Sequence, residues 1–176
     1  REQYVNNSPW ADCALRGWLN GYVSEREGET FNYQQENFID CAFTEEEQNL
    51  ILSSNLKNPE NDSIATDKIF ILSKDETETE AYGFVSDGFQ SQCCFSESSS
   101  YAKAMGVLFT NRGHANPVDV NGNSVWWLRS TTFDSSGLYG TFGNEKIDND
   151  TQKKRYGVRP ALRMDLSDPS AYNKAP

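Results

Sequence analysis

Histidine and basic side chains are scarce in this sequence. Histidine occurs once in 176 residues, at His114, and methionine twice. The four cysteines, Cys13, Cys41, Cys93 and Cys94, form no Cys-x-x-Cys pair. Without such a pair, and with a single histidine, a structural zinc site is not expected to organise the fold. Lys and Arg total 16 against 26 Asp and Glu, a formal net charge of -10. Nucleic acid and anionic membranes both need a basic footprint, so neither is expected as a partner. No apolar run approaches the roughly 18 residues of a spanning helix, so membrane insertion is not expected. A secretory leader is not expected at the start, and a first residue of Arg1 rather than methionine fits a processed or trimmed product.

Aromatic residues are what the sequence has instead, at 12% of the chain. They concentrate in Val125-Trp126-Trp127-Leu128-Arg129-Ser130. In a strand, alternate side chains share a face. Trp126, Leu128 and Ser130 then share one face, and Val125, Trp127 and Arg129 the other. Both faces carry large apolar groups, which predicts a central strand covered on both sides. Arg129 and Arg159 lie in apolar strands, and a buried guanidinium must be paired. Trp18, Trp126, Trp127, Arg129 and Arg159 are therefore read as structural.

The remaining elements follow from caps and spacing. Ser8-Pro9 predicts the start of a helix that ends at Asn20-Gly21, with Trp10, Ala14 and Trp18 on its inner face. Arg16 lies between aromatic neighbours and could hold a carboxylate, with a solvated arginine as the default reading. Cys13 and Cys41 are placed on apolar helical faces, where buried thiols and a disulfide linking the two helices both fit. Adjacent Cys93 and Cys94 suit separate roles better than a strained bond. Residues 22–32 read as a loop and 33–43 as a helix. Thr44 and Glu47 form a capping box opening a helix to about residue 51. Residues 53–56 read as extended, 58–66 as a loop and 67–73 as a buried strand. Ser73 and Glu76 form a second box. A helix over 98–105, ended by Gly106, should turn Tyr101, Ala104 and Met105 to the core. Residues 107–110, 137–143 and 156–164 read as strands, the last with Pro160 at an edge or bulge. Early helices and late antiparallel strands make an α+β pattern. One domain over 1–166 and a flexible tail over 167–176 are expected.

Several strings resemble a bacterial domain family of unknown function found in secreted and surface proteins. Asp12-Cys13-Ala14-Leu15-Arg16-Gly17-Trp18-Leu19-Asn20 is similar to the family's opening, Asn or Ser, Cys or Ser, then x-Leu-Arg-x-Trp-Leu-Asn. Ala42-Phe43-Thr44-Glu45-Glu46-Glu47, Asp67-Lys68-Ile69-Phe70-Ile71-Leu72-Ser73, Tyr101-Ala102-Lys103-Ala104, Trp126-Trp127-Leu128-Arg129-Ser130 and Gly157-Val158-Arg159-Pro160-Ala161-Leu162 follow in order. Members usually carry two or so strands before the first helix, ending in a Leu-Leu-Leu-Ser block; the resemblance implies that here they were cut off, that another segment fills their place, or that part of the sheet is lacking and an edge is exposed. More remotely, the tryptophan strand and closing block resemble C-type-lectin-like and formylglycine-generating-enzyme-like folds. That resemblance implies amino-terminal helices packed on a small twisted antiparallel sheet with long polar loops.

It also implies a binding face on loops 111–123, 131–138 and 144–156. Tyr139, Phe142 and Tyr156 would stack a ligand there, with Asn144, Asn149 and Lys154 supplying polar contacts. Ordinary hairpin polarity accounts for the same residues equally well. No catalytic residue stands out. His114 with Cys93 or Cys94 lacks an orienting motif. Asp148-Asn149-Asp150 lacks calcium-loop spacing, so neither a cofactor nor a metal is expected. The expected function is a non-catalytic, extracellular or cell-surface binding module for a glycan or protein, within a larger surface protein. The alternatives are a hydrolase or oxidative modifying enzyme on the same fold, or a ligand-free spacer.

Overall fold

A computed structural model of the chain describes residues 10–26, 28–57, 64–77, 79–83, 98–107, 126–131, 138–140 and 157–167. It divides into two compact units, Arg1–Phe70 with Pro160–Pro176, and Ile71–Arg159. The described residues form a mixed α+β structure with small two-stranded antiparallel sheets.

In the first unit a 3-10 turn at Trp10–Asp12 precedes α1, Ala14–Asn20. The helix expected from Pro9 thus starts five residues later, because Cys13 is extended (φ -83, ψ 142) and caps it, its Sγ accepting from the Arg16 amide at 3.3 Å. Leu15 and Leu19 are buried, and Gly21 closes the helix at φ 73. A Cβ at Gly17 would lie 2.3 Å from Ser24 Oγ and 3.0 Å from the Tyr33 ring, so a side chain there would have to displace both.

The loop expected over 22–32 is instead a hairpin of β1, Val23–Arg26, and β2, Glu29–Asn32. Arg26 pairs with Glu29, and Gly28 takes φ 83 in the turn. A Gly in a two-residue turn was the available signal; three glutamates and an exposed Val23 hid the alternation. The helix expected over 33–43 shrinks to α2, Phe38–Ala42, because extended Asn37 caps it through the Asp40 amide at 2.9 Å. The Thr44–Glu47 capping box is present and opens α3, Glu45–Leu50.

Strand β4, Ser54–Lys57, agrees with the extended reading of 53–56 and pairs with β5, Ile64–Asp67, which begins inside the span read as a loop. Their alternating burial matches a ribbon with one face inward. The apolar run that follows is buried at Ile69, Phe70 and Ile71 but forms no regular strand; Phe70 makes an isolated bridge to Ala161. Strand β3, Ile51–Leu52, pairs with β8, Arg163–Met164.

In the second unit, Ser73 and Glu76 cap α4, Lys74–Thr77, reciprocally at 2.9 and 3.2 Å. Ser99 caps α5, Ser100–Ala104. Its apolar stripe faces outward: Tyr101 is 75% and Met105 56% exposed, so helical spacing was read to the wrong side. Strand β6, Trp127–Thr131, pairs with β7, Leu138–Gly140. The Trp127 amide donates to Gly157 O and the Arg129 amide to Leu72 O, each at 2.9 Å, so β6 has backbone partners beyond β7. Every residue from Trp126 to Ser130 is buried, as a strand covered on both faces requires.

The expected single sheet is four separate two-stranded ones among the described residues. The expected last strand is broken into a bridge at Gly157, another at Ala161, and β8. Pro160 between the bridges has no amide to continue a ladder.

Asp67 ties the first unit together. Its carboxylate accepts from Trp10 Nε1 at 2.7 Å and from Arg16 Nε at 2.9 and 3.0 Å. Asp67 has no exposed side-chain surface, while Arg16 keeps 21%. Removing the cation therefore strands the more buried charge. Arg16→Met should cost about 3–5 kcal/mol, and Asp67→Asn, which retains an acceptor for the indole, about 1–3 kcal/mol. Urea unfolding of the two variants checks this order; equal losses would contradict it.

Candidate functional site

Two side-chain clusters stand out, one in each unit. In the first, Arg16 donates from Nη1 to Ala11 O at 2.8 Å and its guanidinium lies 4.9 Å from the Tyr22 ring centre. Arg16 is therefore paired and stacked rather than solvated. Burial, and then the Asp67 charge, raise the Tyr22 hydroxyl pKa against the opposing Arg16 charge. Asn20, expected only to stop the helix, reaches Ile69. Its Nδ2 donates to Ile69 O at 2.8 Å and its Oδ1 accepts from the Ile69 amide at 2.9 Å. Trp18 is half-buried and meets Phe38 at 5.6 Å between ring centres.

Cys13 is buried and Cys41 exposed, both as free thiols, so the inter-helix disulfide does not form and the inward placement of Cys41 is corrected. Cys41 sits on α2 opposite the buried Ile39 side. Burial pushes the Cys13 thiol from 9.0 up to about 12, although the Arg16 amide and charge pull it down. A thiol so protonated is no nucleophile near neutral pH.

In the second unit Arg129 donates from Nη1 to Ile71 O at 2.9 Å and from Nη2 to Glu76 Oε1 at 2.8 Å, with Nη1 also bonded to Glu76 Oε2. Glu76 thus caps α4 and forms a two-pronged pair with a guanidinium whose side chain is 5% exposed. The Arg159 guanidinium lies 5.1 Å from the Trp126 ring centre, and its Nη1 is buried with no hydrogen-bond partner among the described residues. Trp126 and Trp127 are buried at 2% and 4% exposure, which leaves neither indole available as a sugar platform.

Of the loop residues proposed for ligand contact, Tyr139 contributes backbone to β7. Phe142, Asn144, Asn149, Lys154 and Tyr156 lie outside the described residues, as do His114, Cys93, Cys94 and Asp148-Asn149-Asp150. Among the described residues, no three His, Cys, Asp or Glu side chains are grouped to hold a metal. No helix there is long and apolar enough to cross a membrane.

A mixed α+β chain with small two-stranded sheets defines a structural class before it defines a chemistry. The chain belongs to the family described as a domain of unknown function, DUF6273, whose model matches residues 1–166. No curated protein and no solved structure matches it.

Sequence reasoning missed the partners more than the participants. Glu76 was visible only as a cap and Asp67 only as a strand start; a carboxylate beside an apolar run and a lone arginine in an apolar helix stripe were the signals. Two outcomes follow. Glu76→Ala should destabilise by about 3–5 kcal/mol because it removes the two-pronged carboxylate from the buried Arg129; Glu76→Gln, which can still cap, should lose less, as thermal melts would show. For Cys13, the folded state keeps a proton that the unfolded chain releases above about pH 9. Stability from this group is thus constant below pH 9 and falls from there toward pH 12, by up to about 1.4 kcal/mol per pH unit. Cys13→Ser retains a capping oxygen and lacks this loss, so urea profiles of wild type and variant should diverge above pH 9. Parallel profiles would show that the thiol does not titrate as its burial requires.

Proposed function

We propose that the chain is a non-catalytic binding module with a C-type-lectin-like fold, acting outside the cell or on its surface as part of a larger bacterial protein. Its ligand is a glycan or a protein, held by the loops beside the last strands. The observation that supports this reading is how the tryptophan strand is used. Trp126 through Ser130 are buried, and Arg129 is committed to Glu76 and Ile71. These blocks serve as frame, which leaves recognition to the chain beside them. Tyr139 lies in β7, directly paired with that frame, and Tyr156 immediately precedes Gly157, which receives the Trp127 amide. Aromatic side chains on a rigid support make efficient ligand contacts, since few rotamers are lost on binding. Phe142, Asn144, Asn149 and Lys154 belong to the same stretch of sequence.

A glycan array, probed with and without calcium, tests the proposal. Tyr139→Ala and Tyr156→Ala should each weaken binding about tenfold or more while leaving the melting temperature unchanged. Unaltered affinity in both variants would remove the site, and a wild-type chain that binds neither glycans nor a neighbouring surface protein would favour a spacer role.

A further inference from the structure

We infer that Asn20 is a latent deamidation site that the folded state holds shut, and that its conversion to aspartate prevents the first unit from re-forming. Asn20 is followed by Gly21. In an Asn-Gly pair, the glycine amide nitrogen attacks the asparagine side-chain carbonyl carbon. Ammonia leaves, a succinimide forms, and water opens it to aspartate or isoaspartate. The small glycine allows the approach, so a free pair of this kind reacts readily.

Here both reacting groups are occupied. The nucleophile, the Gly21 amide, donates to Gly17 O and sits at φ 73 as the cap of α1. The electrophile is held at both ends. Asn20 Nδ2 donates to Arg16 O at 3.1 Å and to Ile69 O at 2.8 Å, and Oδ1 accepts from the Ile69 amide at 2.9 Å. Rotating the carbonyl carbon toward Gly21 breaks all three bonds and releases Ile69, which is fully buried. Cyclisation must therefore wait for an opening of this region.

The product cannot return to the same place. An aspartate would put an anionic oxygen where Nδ2 now faces two carbonyl oxygens, turning two hydrogen bonds into two acceptor–acceptor contacts. An isoaspartate would add a backbone carbon just before the Gly21 cap, where a side chain on residue 21 already has no room: a Cβ there would lie 2.9 Å from Asn37 Nδ2. One opening that lasts long enough thus ends in a covalent change that cannot be reversed by refolding.

The chain carries its own comparator, the Asn121-Gly122 pair. The full chain is aged at mildly alkaline pH, natively and in urea, and peptide mapping by mass spectrometry follows both sites. In urea the two should react at similar rates. Natively, Asn20 should react at least about tenfold more slowly than in urea. Urea-aged protein is then diluted, and the refolded fraction separated from the unfolded. Aspartate and isoaspartate at position 20 should be depleted from the refolded fraction; equal content in both fractions, or equal rates at Asn20 with and without urea, would overturn the inference.

Discussion

The segment that follows β5 buries Ile69, Phe70, Ile71 and Ser73 without the ladder that would satisfy a strand's backbone. A buried peptide group without a partner costs as much as a lost hydrogen bond. The structure meets that demand piecemeal. Ile69 receives the Asn20 carboxamide, Phe70 exchanges both backbone bonds with Ala161, and Ile71 O takes the Arg129 guanidinium. Leu72 O takes the Arg129 amide, and the Ser73 amide goes to Glu76. Asp67, which ends β5 just before this segment, is held by Trp10 and Arg16.

This accounts for the sequence blocks in physical terms. In the opening block Cys13 caps, Leu15 and Leu19 fill the interior, Arg16 binds Asp67 and Asn20 binds Ile69. A serine at position 13 could accept the same Arg16 amide that Cys13 Sγ accepts. The closing block contributes Gly157 to the tryptophan strand and Ala161 to Phe70. Blocks that interlock in this way encode a scaffold. A signature made of scaffold residues identifies the family without identifying its ligand, which is why chemistry was not legible in the strings that made the family legible.

The legible parts of the fold were those decided locally. Both capping boxes, the Gly21 stop and the double burial of the tryptophan strand depend on residues within a few positions of one another. What escaped was set by distant partners. Residues 69–72 have the composition of a strand, yet their backbone is served by side chains from positions 20 and 129. Residues 33–37 have helix-compatible spacing, but Asn37 has a better use as a cap whose Nδ2 also bonds Tyr33 O at 3.0 Å. The stripe on α5 has a period that fixes which residues share a face and carries no information on whether that face is covered.

The two ion pairs described above, Arg16 with Asp67 and Arg129 with Glu76, are explained better by specificity than by stability. A buried pair recovers little more than its own desolvation cost, and an apolar pair of equal size would hold the interior as well. The described helices, however, have four to seven residues, and the strands two to five. Isolated helices below roughly 12–15 residues and lone two-stranded ribbons are marginal in water. Such elements slide easily against an apolar surface, because one methyl group serves much like another. Arg16 on Asp67 and Arg129 on Glu76 tolerate no slippage, since a shift of one residue leaves a carboxylate or a guanidinium buried and unpaired. Short elements joined by polar chain therefore need charged anchors to choose one register.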